Sequence, residues 1–508
     1  MRVSDRPPPP GAAVARNAGW NLLGALLPIP VAVFCIPVLV GHLGVERFGV
    51  LGIAWMVLGY FGMFDFGLAQ STTRFLSASI ARGELGRLRG LAVRSLLLHV
   101  VLGLTGAAVF SLLVPLLAER IFRLPPSLAE ESRTALYWLA ASVPAIVATA
   151  ALRGVLEGLQ RFDVVNLIRI PASILNYAGP LIALYFGTAL PLVVSVIVLG
   201  RYLFLAVYGY AALRALPSAA GSETGTGPRL IELALYGGWL TASNLLTPLI
   251  IATDRFVIAA TVSVSAVAFY VTPYEVITKG WIFSASLMGA LFPVFSGRAE
   301  SAPGSIRSLC RSAERFLLAL AAPPIVLVLG CADLLLQWWL GPEFRANSTA
   351  VAQLLALGLL VNIVAQVPLT AINAIGRADV SAKIAAAELP VYVAATILAA
   401  GRFGIVGVAT VWALRAVVDA VALFAAARAV LPAGESPSAL GGTATTVLGA
   451  FLGIAWLLGQ ALPAAVALRL ALLAALVAAL LFWQWHALLA RADRELFGSL
   501  CRRLLTSR

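Results

Sequence analysis

Charge is scarce in this 508-residue chain: 12% of residues are charged and 61% are hydrophobic, with a mean hydropathy of +0.95. A typical soluble domain carries about 25% charged residues, so a water-soluble globular protein is excluded and an integral membrane protein is indicated. The net charge of +13 lies in short loops and not on a polar domain, which leaves nucleic acid without a platform to bind. Four cysteines, Cys35, Cys310, Cys331 and Cys501, form no C-x-x-C pair and have no neighbouring histidine, so they read as unpaired thiols and not as a zinc site or disulfide framework. The three histidines, His42, His99 and His486, fall near loops or span ends and read as surface residues. No G-x-x-x-x-G-K-[ST] loop is present, which removes ATP hydrolysis and leaves ion gradients or substrate flux as driving forces. No loop exceeds about twenty residues, too little to house a carboxylate or histidine constellation for catalysis. The expectation is a non-enzyme without metal or cofactor.

Long apolar runs are what the chain has instead. A membrane-crossing helix needs about 20 mainly apolar residues, and such stretches occur near 18–40, 48–70, 91–117, 134–154, 167–187 and 190–213. They resume near 234–259, 265–292, 316–340, 349–373, 384–402 and 404–429, with two more near 443–461 and 465–489. The expected fold is an all-α polytopic membrane protein of about fourteen spans. Its divisions are a cytosolic tail 1–16, an N-lobe 17–213, a cytosolic linker 214–232, a C-lobe 233–429, a linker 430–440, two final helices in 441–490 and a basic cytosolic tail 491–508. The opening "MRVSDRPPPPGAAVARNAGW" has a proline run and no signal-peptide cleavage site, and reads as that first tail. Alternating the spans puts 25 of the 36 basic residues on the cytosolic side, 6 outside and 5 within spans. That asymmetry orients both termini to the cytosol.

The halves resemble each other. "GWNLLGALLP" from Gly19 and "GWLTASNLLTP" from Gly238 both enter a first helix with a tryptophan, an asparagine, a Leu-Leu pair and a proline. A repeat of six spans has an even number of crossings, so its copies insert in the same orientation, related by a pseudo-twofold axis along the membrane normal. The cleft between the copies is the expected binding site.

The stretches "NAGWNLLGALLPIPVAVFCIPVLVGHLGVERFGVLGI", "FDFGLAQSTTRF", "TDRFVIAATVSVSAVAFYVTPYEV" and "LMGALFPVFS" resemble the polysaccharide-biosynthesis flippases of the multidrug/oligosaccharidyl-lipid/polysaccharide exporter superfamily. The resemblance implies movement of undecaprenyl-diphosphate-linked oligosaccharide repeat units across the bacterial inner membrane. It also implies surface polysaccharide synthesis (O-antigen, capsule or exopolysaccharide), alternating access, H+ or Na+ coupling and a polysaccharide polymerase partner. A cation-coupled small-molecule exporter of the same superfamily is the alternative, and a membrane-embedded polymerase or ligase a distant one.

A diphosphate-sugar head group loses its hydration in hydrocarbon, so a carrier must supply polar, preferably basic, partners. The five basic residues within spans are Arg201, Arg255, Lys279, Arg415 and Arg469. Arg255 and Arg469 lie near outer ends, within snorkelling reach of the headgroups, and are the weaker candidates, Arg255 being kept among those for the substrate cavity. Arg201, Lys279 and Arg415 lie about halfway along their spans, where an electrostatic trap for the diphosphate belongs. Glu275 stands four residues before Lys279 and Asp419 four after Arg415, so each pair shares a helix face and is also read as a structural pair. Asp65 is too far from Arg74 to pair with it along one helix, and is read as a brace to another helix or a coupling-ion ligand. The resemblance marks Asp254-Arg255 as a recurring pair. Asn21, with Asn17, Gly24 and Pro28, and Asn244, with Pro248 and Arg255, share faces of the first and seventh spans expected to line the cleft or to pack helices.

Overall fold

Apolar runs of this length satisfy their backbone away from water as α-helices, and the regular elements among the described residues are all helical. The computed structural model describes residues 27–61, 68–81, 83–118, 126–159, 161–216, 253–301, 303–431, 441–461, 465–490 and 494. The chain packs as two units, Met1–Ala268 and Phe269–Arg508. The first contains α1 (Pro28–Phe61), α2 (Leu68–Ala81), α3 (Leu88–Leu116), α4 (Pro126–Gly158), α5 (Phe162–Leu184), α6 (Leu190–Ala215) and a helical stretch at 253–261. Helix α7 (Val264–Ile277) begins in the first unit and ends in the second, which holds α8 (Trp281–Ser301), α9 (Ile306–Leu340), α10 (Pro342–Ala374), α11 (Ala378–Val430), α12 (Gly442–Ala461) and α13 (Val466–Trp483).

Among the described residues ten helices are long and apolar enough to cross a membrane. Two of them hold a glycine with left-handed φ inside one assigned helix: Gly44 (φ 75°) in α1 and Gly404 (φ 59°) in α11. The second is a reversal of the chain. Arg415 Nη1 lies 3.5 Å from Glu388 Oε2 although the residues are 27 apart, a separation of about 40 Å along a straight helix. The 53 residues of α11 therefore form two antiparallel arms meeting at Gly404, where only a residue without a Cβ enters that backbone region readily. Most of the expected seventh span lies outside the described residues. The expected eighth, 265–292, is not continuous: α7 stops at Ile277 and a 3₁₀ turn, Thr278–Gly280, precedes α8. Pro273 removes a backbone donor within α7, and the Thr278 hydroxyl donates to Tyr274 C=O at 2.7 Å, drawing that carbonyl toward the side chain.

In lipid the hydrophobic effect does not hold helices together, and close packing and internal hydrogen bonds take its place. In the first unit α4 is the most enclosed helix, with Leu139, Val143, Val147, Ala151 and Val155 buried along it. Gly103 of α3 touches it so closely that a Cβ would stand 2.7 Å from Pro144 Cα. At one end Glu131 accepts from Arg47 Nε and Nη2 at 3.2 and 3.1 Å and from the Leu190 backbone N–H at 2.6 Å. One carboxylate thus joins α1 and α4 and caps the start of α6. At the other end Leu76, Leu91, Leu156, Ile168 and Ala212 form an apolar cluster. In the second unit α10 takes the enclosed place, and Gly358 admits the Trp412 ring, which a Cβ would meet at 2.6 Å. Outward-facing Leu97, Leu104 and Leu112 of α3 and Val391, Leu398 and Val421 of α11 remain exposed, as a lipid-facing surface requires.

Two sequence expectations are corrected here. Arg469 does not snorkel. It is fully buried, donates from Nε to Gly330 C=O at 2.7 Å and from Nη1 to Asp333 at 3.0 Å, and makes further contacts to both through Nη2. A guanidinium facing a neighbouring helix finds a carboxylate there and has no need to reach water. His99 is likewise no surface residue: it is fully buried in α3, with Nδ1–H donating to Ser95 C=O at 2.7 Å, while Ser95 Oγ meets Thr72 Oγ1 at 2.6 Å. His42 is exposed as expected, and Cys35, Cys310 and Cys331 are free thiols.

Candidate functional site

Arg201 projects from α6 into a cavity of about 270 Å³ inside the first unit. Its Nη2 donates to Asn176 Oδ1 of α5 at 2.9 Å, and the Asn176 backbone carbonyl accepts from Trp55 Nε1 of α1 at 3.2 Å. The α6 residues Ile197, Gly200, Arg201, Phe204 and Tyr208 line the cavity because they recur every three or four positions, one face of the helix. Thr149 and Arg153 of α4 stand across it. Tyr208 donates to Val165 C=O at 3.2 Å, and Arg153 is bridged to Glu157 at 3.6 Å. Among the described residues Arg201 itself has no acidic partner. A cation held by a neutral amide inside an apolar helical unit costs several kcal/mol less when an anion arrives beside it than when it stands alone, roughly the scale of burying a charge in a membrane. The cavity is a cationic pocket whose guanidinium is held by an amide and not by an acid, an arrangement suited to a phosphate or carboxylate.

The other basic residues are already engaged. Lys279 Nζ lies 3.6 Å from Glu275 Oε2, the expected spacing of four residues, and both side chains are partly exposed at the 3₁₀ turn between α7 and α8. Arg415 is paired, but with Glu388 on the facing arm of α11 instead of Asp419 on its own, and its guanidinium lies over the Tyr392 ring at 5.4 Å. The sequence reading weighed only neighbours on one helix, and the hairpin brought a carboxylate from 27 residues away. Asp419 remains near enough for its charge to act on Glu388 and Arg415. Arg255 is buried at 7% exposure and does not snorkel, and Asp254 is fully buried, with Oδ1 accepting from the Arg255 backbone N–H at 3.0 Å. Asp65, Asn21 and Asn244 lie outside the described residues.

Sequence reading passed over Asn176, Glu388 and Asp333. Each is a polar side chain inside an apolar run, a signal as visible as the arginines. Asp333 pairs with both Arg469 and Arg345, the latter at 3.6 Å, beside a second cavity of about 390 Å³ bordered by Gln353 and Gln460.

The sequence model of the family described as Polysaccharide biosynthesis protein matches residues 14–297. A Shigella flexneri protein named "Putative O-antigen transporter" is 29% identical over 418 residues, 81% of this chain and 97% of its own length. The "Uncharacterized membrane protein EpsK" of Bacillus subtilis (strain 168) is 26% identical over 377 residues, 70% of each chain. Among solved structures, an inward-facing multidrug resistance MATE family transporter of the MOP superfamily aligns with a TM-score of 0.65 at 16% identity, covering 80% of this chain and 94% of its own. The lipid II flippase MurJ, in an inward closed conformation, gives 0.62 at 12% identity over 93% and 99% of the two chains. At these identities the structures share a fold, an all-helical one. With its matched span exceeding half of the sequence, this multi-pass membrane protein belongs to the polysaccharide biosynthesis protein family.

Proposed function

We propose that the protein is a flippase that moves undecaprenyl-diphosphate-linked oligosaccharide repeat units across the bacterial inner membrane for surface polysaccharide synthesis. The observation that carries this reading is Arg201, a guanidinium facing a cavity of about 270 Å³ with an amide for its partner and no carboxylate beside it among the described residues. A diphosphate supplies the missing anion, and arginine grips its oxygens through a planar fork. Lys279 and Arg415, each held by a carboxylate, become partners for the substrate only by exchanging one anion for another. The trap therefore centres on Arg201. The same feature disfavours a carrier of cationic small molecules, which an unneutralised arginine repels.

The protein works by alternating access of two six-helix lobes, 17–213 and 233–429, with both termini in the cytosol, coupling to H+ or Na+ and delivery to a polysaccharide polymerase. It transports and does not catalyse. The test is flux in proteoliposomes loaded with a fluorescent polyprenyl-diphosphate oligosaccharide. Arg201→Gln should lower flux about tenfold or more, the worth of a charge-assisted hydrogen bond, while Arg201→Lys retains part of it. Wild-type flux through Arg201→Gln would overturn the assignment.

A further inference from the structure

The arms of α11 bring two carboxylates to one arginine. Arg415 lies 3.5 Å from Glu388 with side-chain exposures of 15% and 10%, and Asp419, one turn beyond Arg415, acts on both through its charge. Among the described residues these are the charged groups that face Glu388; Tyr392, under the guanidinium, is the titratable neighbour on its own arm. Fully ionised, the cluster carries two negative charges against one positive. Glu388 and Arg415 stand about 24 and 17 Å along their arms from the Gly404 turn, depths that fall within a hydrocarbon layer about 30 Å thick.

An independent feature marks what is missing. Glu388 Oε1 is buried and accepts no hydrogen bond. An ionised oxygen without a donor is among the costliest groups to bury, and a neutral carboxyl costs far less. Two carboxylates that share one cation are relieved of their surplus charge by a single added proton.

We propose that Glu388 and Asp419 form a proton-binding site, in which the pair holds one proton and Arg415 balances the charge that remains. Binding transfers H+ from hydronium to a carboxylate lone pair, so one O–H bond of the hydronium breaks, one O–H bond forms on the carboxyl and water is released, and the cluster goes from a net charge of about −1 to neutrality. A metal ion is the poorer occupant, because Arg415 already stands beside the Glu388 carboxylate and repels a second fixed cation. The site does not depend on the identity of the transported substrate, so its failure and the failure of the flippase reading are separate outcomes.

The experiment is infrared difference spectroscopy of the purified full chain in lipid nanodiscs, titrated from acid to alkaline pH while the carbonyl stretch of a protonated carboxylic acid is followed. A band should remain near neutral pH, where ordinary exposed carboxylates are ionised, and be lost at alkaline pH. Glu388→Gln and Asp419→Asn should each abolish it, since the single remaining carboxylate then faces Arg415 and stays ionised. Arg415→Gln should enlarge it and move its loss to higher pH. Glu388→Asp retains the charge count and should keep the band, which guards against a variant that merely fails to fold. A native chain with no such band, a band that survives both neutralising variants, or one displaced by sodium at constant pH would overturn the proposal.

Discussion

Single polar side chains decide more here than in a soluble protein, because each stands in surroundings that offer few partners. Arg469 is the clearest: fully buried, it fastens α13 to α9 through Asp333 and the Gly330 carbonyl. Removing one partner of such a pair leaves a charge without compensation, at a cost of about 3–5 kcal/mol. Arg469→Met is therefore expected to lower the thermal midpoint of the purified protein sharply. Arg345, already 3.6 Å from Asp333, limits the damage, and the double variant Arg469→Met with Asp333→Leu should recover most of the loss. A midpoint unchanged by the single variant would show that the pair holds nothing together. The sequence marked Arg469 as a charge at a span end but did not say which way it turned. Arg201 was legible as a deep cation with no charged neighbour in its helix, and Asn176 as a polar residue in an apolar run, but their pairing across two helices could not be read.

At the scale of elements, glycine and proline placement governs where helices bend and how near they come. Gly404 turns α11 back on itself, and without that reversal Arg415 would never meet Glu388. Gly404→Ala places a Cβ in a left-handed conformation and should destabilise the fold by about 1–2 kcal/mol, read as a lower midpoint in thermal unfolding. Open space surrounds that position, so the loss comes from the backbone, and at ψ −146° the conformation is essentially reserved for glycine, so Gly404→Asn should cost about as much. A midpoint unchanged in either variant would argue against this account. The boundary between the expected eleventh and twelfth spans, 402 to 404, was visible because a glycine interrupts two apolar runs there. The break at Thr278–Gly280 was not, since the hydropathy of 265–292 continues through it while the backbone hydrogen bonding does not.

For the whole molecule, alternation of the spans assigns sides to every loop. A cysteine introduced at Ser301, at the end of α8, should label with a membrane-impermeant maleimide from the cytosolic side, and one at Ser127, at the start of α4, from the opposite side. The native Cys35, Cys310 and Cys331 are buried and add little background, and Cys501 is replaced by serine in both variants. Labelling of both positions from the same side would break the alternation. Composition and run length alone were enough to determine an all-α membrane protein, because a backbone in hydrocarbon has so few ways to satisfy its hydrogen bonds. Sequence also marked the deep basic residues, since a charge in an apolar run is conspicuous wherever it lies. Which of them carry a partner was left to the tertiary structure. Arg415 took Glu388 across a hairpin, Arg469 took Asp333 across a helix pair, and Arg201 was left with an amide and a cavity. The physical reason is range: local spacing reports only the neighbours one turn away on the same helix, whereas in a low-dielectric interior the pairing that matters is with whatever group packing brings within a few ångströms, however distant along the chain.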